Sequence, residues 1–128
     1  MNKQFYYIIV LFTLSSLILS SCSSSKGSGK MYKRNAIASY YADKFDGRKT
    51  ASGEKFSNSK LTTAHRTLPF GTKLKVTNPE NNESVIVEVN DRGPHTKSRE
   101  LDLSKKAFMS ITHNKNLGTL KVDIEILK

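Results

Sequence analysis

The sequence predicts an all-β domain: a small closed barrel of about six strands with one or two short helices. Short runs of alternating apolar and polar residues recur between turn signals, and no long amphipathic helix pattern interrupts them. Corners that contain glycine separate these runs. A closed barrel is favoured over a two-layer sandwich because closure removes exposed strand edges.

The predicted strands span residues 37–41, 73–77, 85–90 and 120–127. In the third run the valines at alternate positions share one face, and in the last run Val122, Ile124 and Ile126 do so, which gives each strand a buried side. The polar residues 78–83 predict a hairpin between the second and third strands. Ser104, just before residues 105–109, predicts a short N-capped helix.

The N-terminal residues predict export and lipid anchoring. An apolar stretch over 5–19 follows Lys3 and is shorter than the ~20 residues that a spanning helix needs, so we expect a signal peptide over 1–21. Cys22 is the only cysteine, and the Leu-Ser-Ser before it resembles a bacterial lipobox, whose cysteine carries a diacylglycerol. The alternatives are an ordinary cleavage site that leaves a free thiol, or a chance match. One cysteine excludes an internal disulfide framework and a Cys-based metal cluster.

Residues 22–35 are rich in Ser, Gly and Lys and predict a lipid-anchored flexible tether, followed by one folded domain over 36–128. The 21 Lys and Arg residues against 11 Asp and Glu give a net charge of +10. Such a charge favours an anionic partner: nucleic acid, anionic lipid or an acidic wall polymer. Export argues against nucleic acid.

Three residues beside predicted turns are candidates for chemistry. Asp91 ends a Val-rich strand before a Gly-Pro turn. It is either a turn aspartate that accepts backbone N–H bonds, or a half-buried carboxyl that holds a proton near neutrality. His65 is either hydrogen-bonded structure or a functional group, and Glu54 is either a solvated loop charge or a functional carboxylate. Arg92 and Arg99 are candidates for binding a carboxylate-bearing substrate, with pairing to nearby acids as the alternative for Arg99.

Seven motifs occur in the order of a known family: ASYYA (38–42), GRKTASGE (47–54), LTTAH (61–65), LPFGT (68–72), VTN (76–78), NDRGP (90–94) and RELDLS (99–104). Together they resemble the rare lipoprotein A family of bacterial wall proteins. The resemblance implies a double-psi β-barrel related to the expansin and cellulase barrels. It also implies a lytic transglycosylase that acts on peptidoglycan strands stripped of peptides and cleaves the MurNAc-GlcNAc bond to leave 1,6-anhydro-MurNAc ends.

The resemblance assigns catalytic roles to Asp91, Glu54 and His65. We expect Asp91 to act as acid and then as base, with Glu54 and His65 orienting the sugar and tuning Asp91. We expect the glycan to contact the following residues: Tyr40, Tyr41, Thr50, Ser52 and Arg92. No metal or organic cofactor is required. The alternatives are a non-catalytic, expansin-like peptidoglycan-binding lipoprotein, and a lipoprotein whose barrel binds another envelope protein.

The sequence departs from the family pattern at Ala42, Thr63 and His95, none of which replaces a proposed functional group. We expect no C-terminal peptidoglycan-binding repeat domain. The expected location is the bacterial cell envelope, with a monomer held through Cys22 on the outer membrane and facing the periplasm.

Overall fold

The computed structural model describes residues 29–128, which form a closed six-stranded barrel. The strands are β1 (Lys30–Tyr40), β2 (Thr62–Ala64), β3 (Lys73–Asn78), β4 (Glu83–Asp91), β5 (Leu101–Leu103) and β6 (Thr119–Ile126). Their order around the barrel is β1-β5-β2-β4-β3-β6. A 3-10 turn at Asp43–Phe45 and one short helix, α1 (Lys105–Ser110), complete the described elements. The predicted all-β barrel is confirmed.

Two pairings are parallel, β1 with β5 and β2 with β4, and the other four are antiparallel. The predicted hairpin is β3–β4, in which Val76 pairs with Val85. The parallel pairs join segments that are far apart in sequence, so they decide which loops meet at one end of the barrel.

Alternation along the strands builds the core. Val85, Val87 and Val89 of β4 face inward, as predicted, and the buried residues of β6 and α1 complete the same cluster. Ser104 caps α1 because its hydroxyl accepts a hydrogen bond from the backbone N–H of Ala107 at 3.4 Å. No helix among the described residues is long and apolar enough to cross a membrane.

The structure corrects the predicted boundary between tether and domain. Residues 30–35 belong to β1, where Lys30 pairs with Ile126 and Lys33 with Ile124 of β6. Every side chain from 30 to 35 is exposed, so backbone pairing rather than burial forms this part of the strand. The pattern of apolar residues therefore gave no signal there. Residues 1–28, which include the predicted signal peptide, Cys22 and the start of the tether, lie outside the described part.

Candidate functional site

One row of the barrel crosses four strands and brings two carboxylates together. Ser39 of β1 pairs with Asp102 of β5, Asp102 with Ala64 of β2, and Ala64 with Asp91 of β4. The register shifts just before the last pair, and irregularities of this kind redirect side chains near functional sites. Neighbouring strands lie about 4.8 Å apart, so two strand spacings, about 10 Å, separate the backbones that carry the two carboxylates.

Asp91 is held by three donors. Its Oδ1 accepts the backbone N–H of Ala51 at 2.8 Å and that of Arg92 at 2.9 Å, and its Oδ2 accepts the hydroxyl of Tyr41. Gly93 then turns the chain away with a φ of +138°, a conformation that favours glycine. The carboxylate is therefore fixed at the strand end, with a loop folded over one of its oxygens.

Asp91 opens into a cleft of about 660 Å³. Four aromatic side chains, two carboxylates and five cations line it: Tyr40, Tyr41, Phe45, Phe56, Asp91, Asp102, Lys44, Arg48, Lys49, Arg92 and Arg99. Ser39, Ala42, Thr50 and His95 complete the lining. We refer to this cavity as the Asp91 cleft.

Three of the aromatic side chains, Tyr41, Phe45 and Phe56, form a connected wall, and the Tyr40 ring packs on the core. The Tyr41 ring packs on Phe56 with the ring centroids 4.3 Å apart, and it meets Phe45 edge-on at 5.7 Å. The Tyr40 ring, which also lines the cleft, packs on the buried Phe108 of α1 at 4.6 Å. Burial, followed by the hydrogen bond to Asp91, raises the pKa of Tyr41 above its ordinary value, so its hydroxyl remains a donor. An apolar, ring-rich wall of this kind suits the faces of sugar rings.

The cations exceed the carboxylates in the cleft. Lys44 Nζ lies 5.3 Å and the Arg48 guanidinium 5.4 Å from the centroid of the Phe45 ring. Among the described residues, neither of these cations nor Lys49 forms an ion pair with a carboxylate. This rim therefore presents uncompensated positive charge to a bound molecule.

Two arginines lie deeper in the cleft. Arg92 stacks on Phe70 at 3.9 Å from the ring centroid, and its Nη1 donates to two backbone carbonyl oxygens. Arg99 Nη2 lies 3.8 Å from Asp102 Oδ1, which also accepts the Ser39 hydroxyl. Of the two sequence interpretations of Arg99, the structure thus shows the pairing with Asp102.

The loop that covers Asp91 carries three of the predicted site residues. Thr50 lines the cleft, and its hydroxyl donates to the backbone carbonyl of Glu54 at 2.9 Å. Ser52 lies 2.9 Å from the Thr50 hydroxyl and does not line the cleft. Glu54 is exposed, and its carboxylate meets only the Asn90 amide, at 3.5 Å, among the described residues. The loop thus places Thr50 in the cleft with Asp91, and leaves Ser52 and Glu54 outside the lining.

His65 is 2% exposed and does not line the Asp91 cleft. Its Nε2 lies 3.1 Å from Glu100 Oε1, and Lys33 and Arg66 contact the other oxygen of that carboxylate at 2.7 and 3.3 Å. Burial lowers the pKa of His65, and the opposing effect of Glu100 does not offset it. Burial alone would raise the pKa of Glu100, but hydrogen bonds from Lys33 and His65 outweigh it, so that pKa lies below its ordinary value. The lowered pKa favours the neutral form of the His65 imidazole, and the ring lies outside the Asp91 cleft.

Sequence reasoning did not identify Asp102 as a cleft residue, nor the basic rim. A signal for Asp102 was available, because in Leu101-Asp102-Leu103 the two leucines are buried and the aspartate points to the other side. Among residues 29–128 no three His, Cys, Asp or Glu side chains are grouped so that they could hold a metal ion.

Comparison with known proteins identifies relatives over most of the chain. A family model described as lytic transglycolase matches residues 24–124. Endolytic peptidoglycan transglycosylase RlpA of Rickettsia felis is 48% identical over an alignment of length 103, which covers 78% of this chain and 45% of that protein. The protein of the same name from Campylobacter jejuni is 40% identical over an alignment of length 142, which covers 98% of this chain and 50% of that protein. The chain thus spans about half the length of these two relatives.

Solved structures support the fold. A Streptomyces papain inhibitor superposes with a TM-score of 0.61 at 20% identity, covering 79% of this chain and all of that one. The apo expansin of Clavibacter michiganensis gives a TM-score of 0.58 at 22% identity, over 74% of this chain and 50% of that one. With the motifs, the barrel and the family match in agreement, the chain belongs to the lytic transglycolase family of double-psi β-barrel proteins.

Proposed function

We propose that the protein is a lytic transglycosylase of peptidoglycan and that Asp91 is its acid and base. The observation that carries this proposal is a carboxyl group fixed by three donors in an aromatic-walled cleft. Two of the four lone-pair positions of the carboxylate are filled on Oδ1, and Tyr41 fills one on Oδ2. The remaining position on Oδ2 is where a proton is given and received.

The reaction needs one such group. Asp91 gives its proton to the oxygen of the glycosidic bond as the bond from that oxygen to C1 of N-acetylmuramic acid breaks. The C6 hydroxyl oxygen of the same sugar bonds to C1 and loses its proton to Asp91. The product is a 1,6-anhydro ring, no water is consumed and the carboxyl is regenerated. A hydrolase would need a second carboxyl to activate water, whereas here the substrate supplies the nucleophile.

The lining of the cleft suits a glycan that carries carboxylates. Tyr40 and Tyr41 offer ring faces to the sugars, and the basic rim of Lys44, Arg48 and Lys49 offers charge to the acidic groups of peptidoglycan. Thr50 sits beside them with its hydroxyl committed to the loop. In this proposal Glu54 and Ser52 act through the loop that covers Asp91 rather than by touching the scissile bond.

Anchoring through Cys22 belongs to the same proposal. A lipid on this residue would hold the barrel at a membrane of the cell envelope, the outer membrane facing the periplasm in our interpretation. Cys22→Ser should abolish labelling by a radioactive fatty acid and release the protein from the membrane fraction. Continued labelling of the variant would exclude the lipobox interpretation.

The central experiment incubates the purified protein with sacculi and analyses the soluble products by mass spectrometry. Anhydro-muropeptides are expected from the parent, and Asp91→Asn should lower their rate of formation by about 10²–10⁴-fold, the usual contribution of general acid–base catalysis. Glu80→Gln, an exposed carboxylate outside the cleft, is the matched control. If the parent yields no anhydro products but binds sacculi, the protein is a glycan-binding module. Parental rates from a folded Asp91→Asn variant would exclude Asp91 as the acid.

A further inference from the structure

The imidazole of His65 organises the turn that follows β2. Its Nδ1 accepts two backbone N–H groups, from Thr67 at 3.1 Å and Leu68 at 2.9 Å. A ring nitrogen that accepts hydrogen bonds carries no proton, so the ring proton is on Nε2, which donates to Glu100. The Tyr32 hydroxyl lies 3.3 Å from the same Nε2. Both ring nitrogens are therefore occupied by the protein itself.

The same turn holds Arg92. Nη1 of Arg92 donates to the carbonyl oxygen of His65 at 3.2 Å and to that of Leu68 at 2.8 Å. Phe70 supports the guanidinium from one face. Among the described residues, the other N–H groups of Arg92 have no side-chain or backbone acceptor, and the residue lines the Asp91 cleft. The side chain is thus clamped at one nitrogen and free at the others.

Glu100 fixes the imidazole in turn. Its Oε1 accepts from His65, while Lys33 and Arg66 hold Oε2. The backbone N–H of His65 also donates to the carbonyl oxygen of Asp91 at 3.1 Å, which ties the start of the turn to the end of β4. A chain of contacts therefore runs from Glu100 through the His65 ring to the Arg92 guanidinium.

We infer that His65 is a positioning residue for Arg92: it shapes the 65–68 turn whose two carbonyl oxygens aim the guanidinium into the Asp91 cleft. The inference rests on the proposed function only for the nature of the substrate that Arg92 meets. It differs from the sequence interpretation of His65 as a group that orients the sugar, because neither ring nitrogen is open to a substrate atom.

Two substitutions of His65 separate positioning from proton transfer. The Oδ1 atom of an asparagine side chain accepts backbone N–H groups two and three residues ahead, as Nδ1 does here, but an amide neither gives nor takes a proton near neutrality. His65→Asn should therefore keep kcat/KM for sacculi within about threefold of the parent and leave the pH–rate profile unchanged. His65→Ala removes the acceptor and should lower kcat/KM about tenfold or more. An acid or base at this position would lose about 10²–10⁴-fold in both variants.

A double-mutant cycle tests the route through Arg92. If His65 acts by aiming Arg92, His65→Ala should lower kcat/KM strongly in the parent and by less than about twofold in an Arg92→Ala background. Additive losses would overturn the inference, since they would show that His65 acts elsewhere. His113→Asn is the matched control, because that histidine is exposed and lies outside the cleft. Thermal unfolding curves verify that every variant is folded at the assay temperature.

The readout also separates this inference from the proposed function. If the parent forms no anhydro products, the proposed function fails. The double-mutant cycle of His65→Ala and Arg92→Ala is then measured as changes in the Kd for sacculi. Non-additive losses of affinity at His65 and Arg92, with rescue by His65→Asn, would then still support positioning. Loss of affinity in His65→Asn equal to that in a folded His65→Ala would overturn it.

Discussion

The hydroxyl of Tyr41, the residue directly after β1, donates to Oδ2 of Asp91 at the end of β4. The two residues are 50 positions apart in sequence. They meet at one end of the barrel, although β5 and β2 lie between β1 and β4. Oδ1 of Asp91 accepts two backbone N–H groups, whereas Oδ2 accepts only the Tyr41 hydroxyl among the described residues. In the proposed mechanism, Oδ2 is therefore the oxygen that exchanges a proton with the substrate.

Tyr41→Phe should weaken turnover while preserving the aromatic wall. The ring contacts with Phe45 and Phe56 remain, but Asp91 loses a donor, and a hydrogen bond to a charged group is worth about 1.5–3 kcal/mol. We expect kcat to fall about 10- to 100-fold with KM nearly unchanged. Steady-state release of anhydro-muropeptides measures both constants. A rise in KM at constant kcat would show that the hydroxyl binds glycan instead.

Asp102 provides the comparison for Asp91, since both line the cleft and only one is assigned the proton. Asp102→Asn keeps an acceptor for the Ser39 hydroxyl and removes the charge opposite Arg99. We expect a loss of turnover smaller than that of Asp91→Asn by at least about tenfold. The rate of anhydro-muropeptide formation is measured for both variants in parallel. A larger loss of turnover in Asp102→Asn than in Asp91→Asn would show that Asp102 is the acid.

The basic rim should discriminate between charged and neutral glycans. Arg48→Gln is expected to weaken binding of glycan strands that carry free carboxylates by a few-fold, because an exposed charge pair is worth about 0.2–1 kcal/mol. Binding of strands whose carboxylates have been converted to amides should not change. Lys121→Gln, an exposed lysine of β6 outside the cleft, removes the same charge as a control. Equal losses on both glycans would show that Arg48 contributes something other than charge recognition.

Acid should destabilise the barrel through His65. The pKa of His65 is lowered in the folded state, so the unfolded chain takes up the proton first as pH falls below about 6.5. Stability is then lost with falling pH, at no more than about 1.4 kcal/mol per pH unit for one group. The charged or titratable groups around the ring are Glu100, Tyr32, Arg66 and Arg92, and Lys33 contacts Glu100. Denaturant unfolding between pH 7 and pH 5 should show this decline in the parent and a shallower one in His65→Asn.

Removing residues 30–35 should destabilise the barrel even though their side chains are exposed. The deletion breaks the pairing of β1 with the end of β6 and removes Lys33 from Glu100. With each backbone hydrogen bond worth about 0.5–1.5 kcal/mol, we expect the melting temperature of a chain that starts at 36 to fall by about 10 °C relative to one that starts at 29. Equal melting temperatures would restore the predicted boundary at Ala36.

The sequence was informative wherever burial alternates along a strand. β3, β4 and β6 were predicted within a few residues because each has one buried face. β2 was missed because all three of its residues are buried, and β5 because it has only three residues. The early part of β1 was missed for the opposite reason, since none of its side chains is buried. Pairing partners, unlike burial, leave no local pattern in a sequence.

The site was predictable in its residues but not in its connections. Asp91 and Tyr41 lie in motifs that sequence reasoning had already singled out, yet nothing local indicates that one donates to the other. Glu100 directly follows Arg99 in sequence, yet its carboxylate contacts His65 and Lys33 instead. These contacts cross the barrel between segments more than 30 residues apart, so they depend on the strand order rather than on spacing.

The adjacency of β1 and β6 also governs when the molecule can fold. The first strand of the barrel is completed by the last, so a chain emerging from a ribosome cannot close its sheet until β6 has been made. Until then β1 has an open edge, and the parallel partner β5 contributes only three residues to hold it. Synthesis and closure are therefore separate events, because the last strand to be made is the one that closes the barrel on the first.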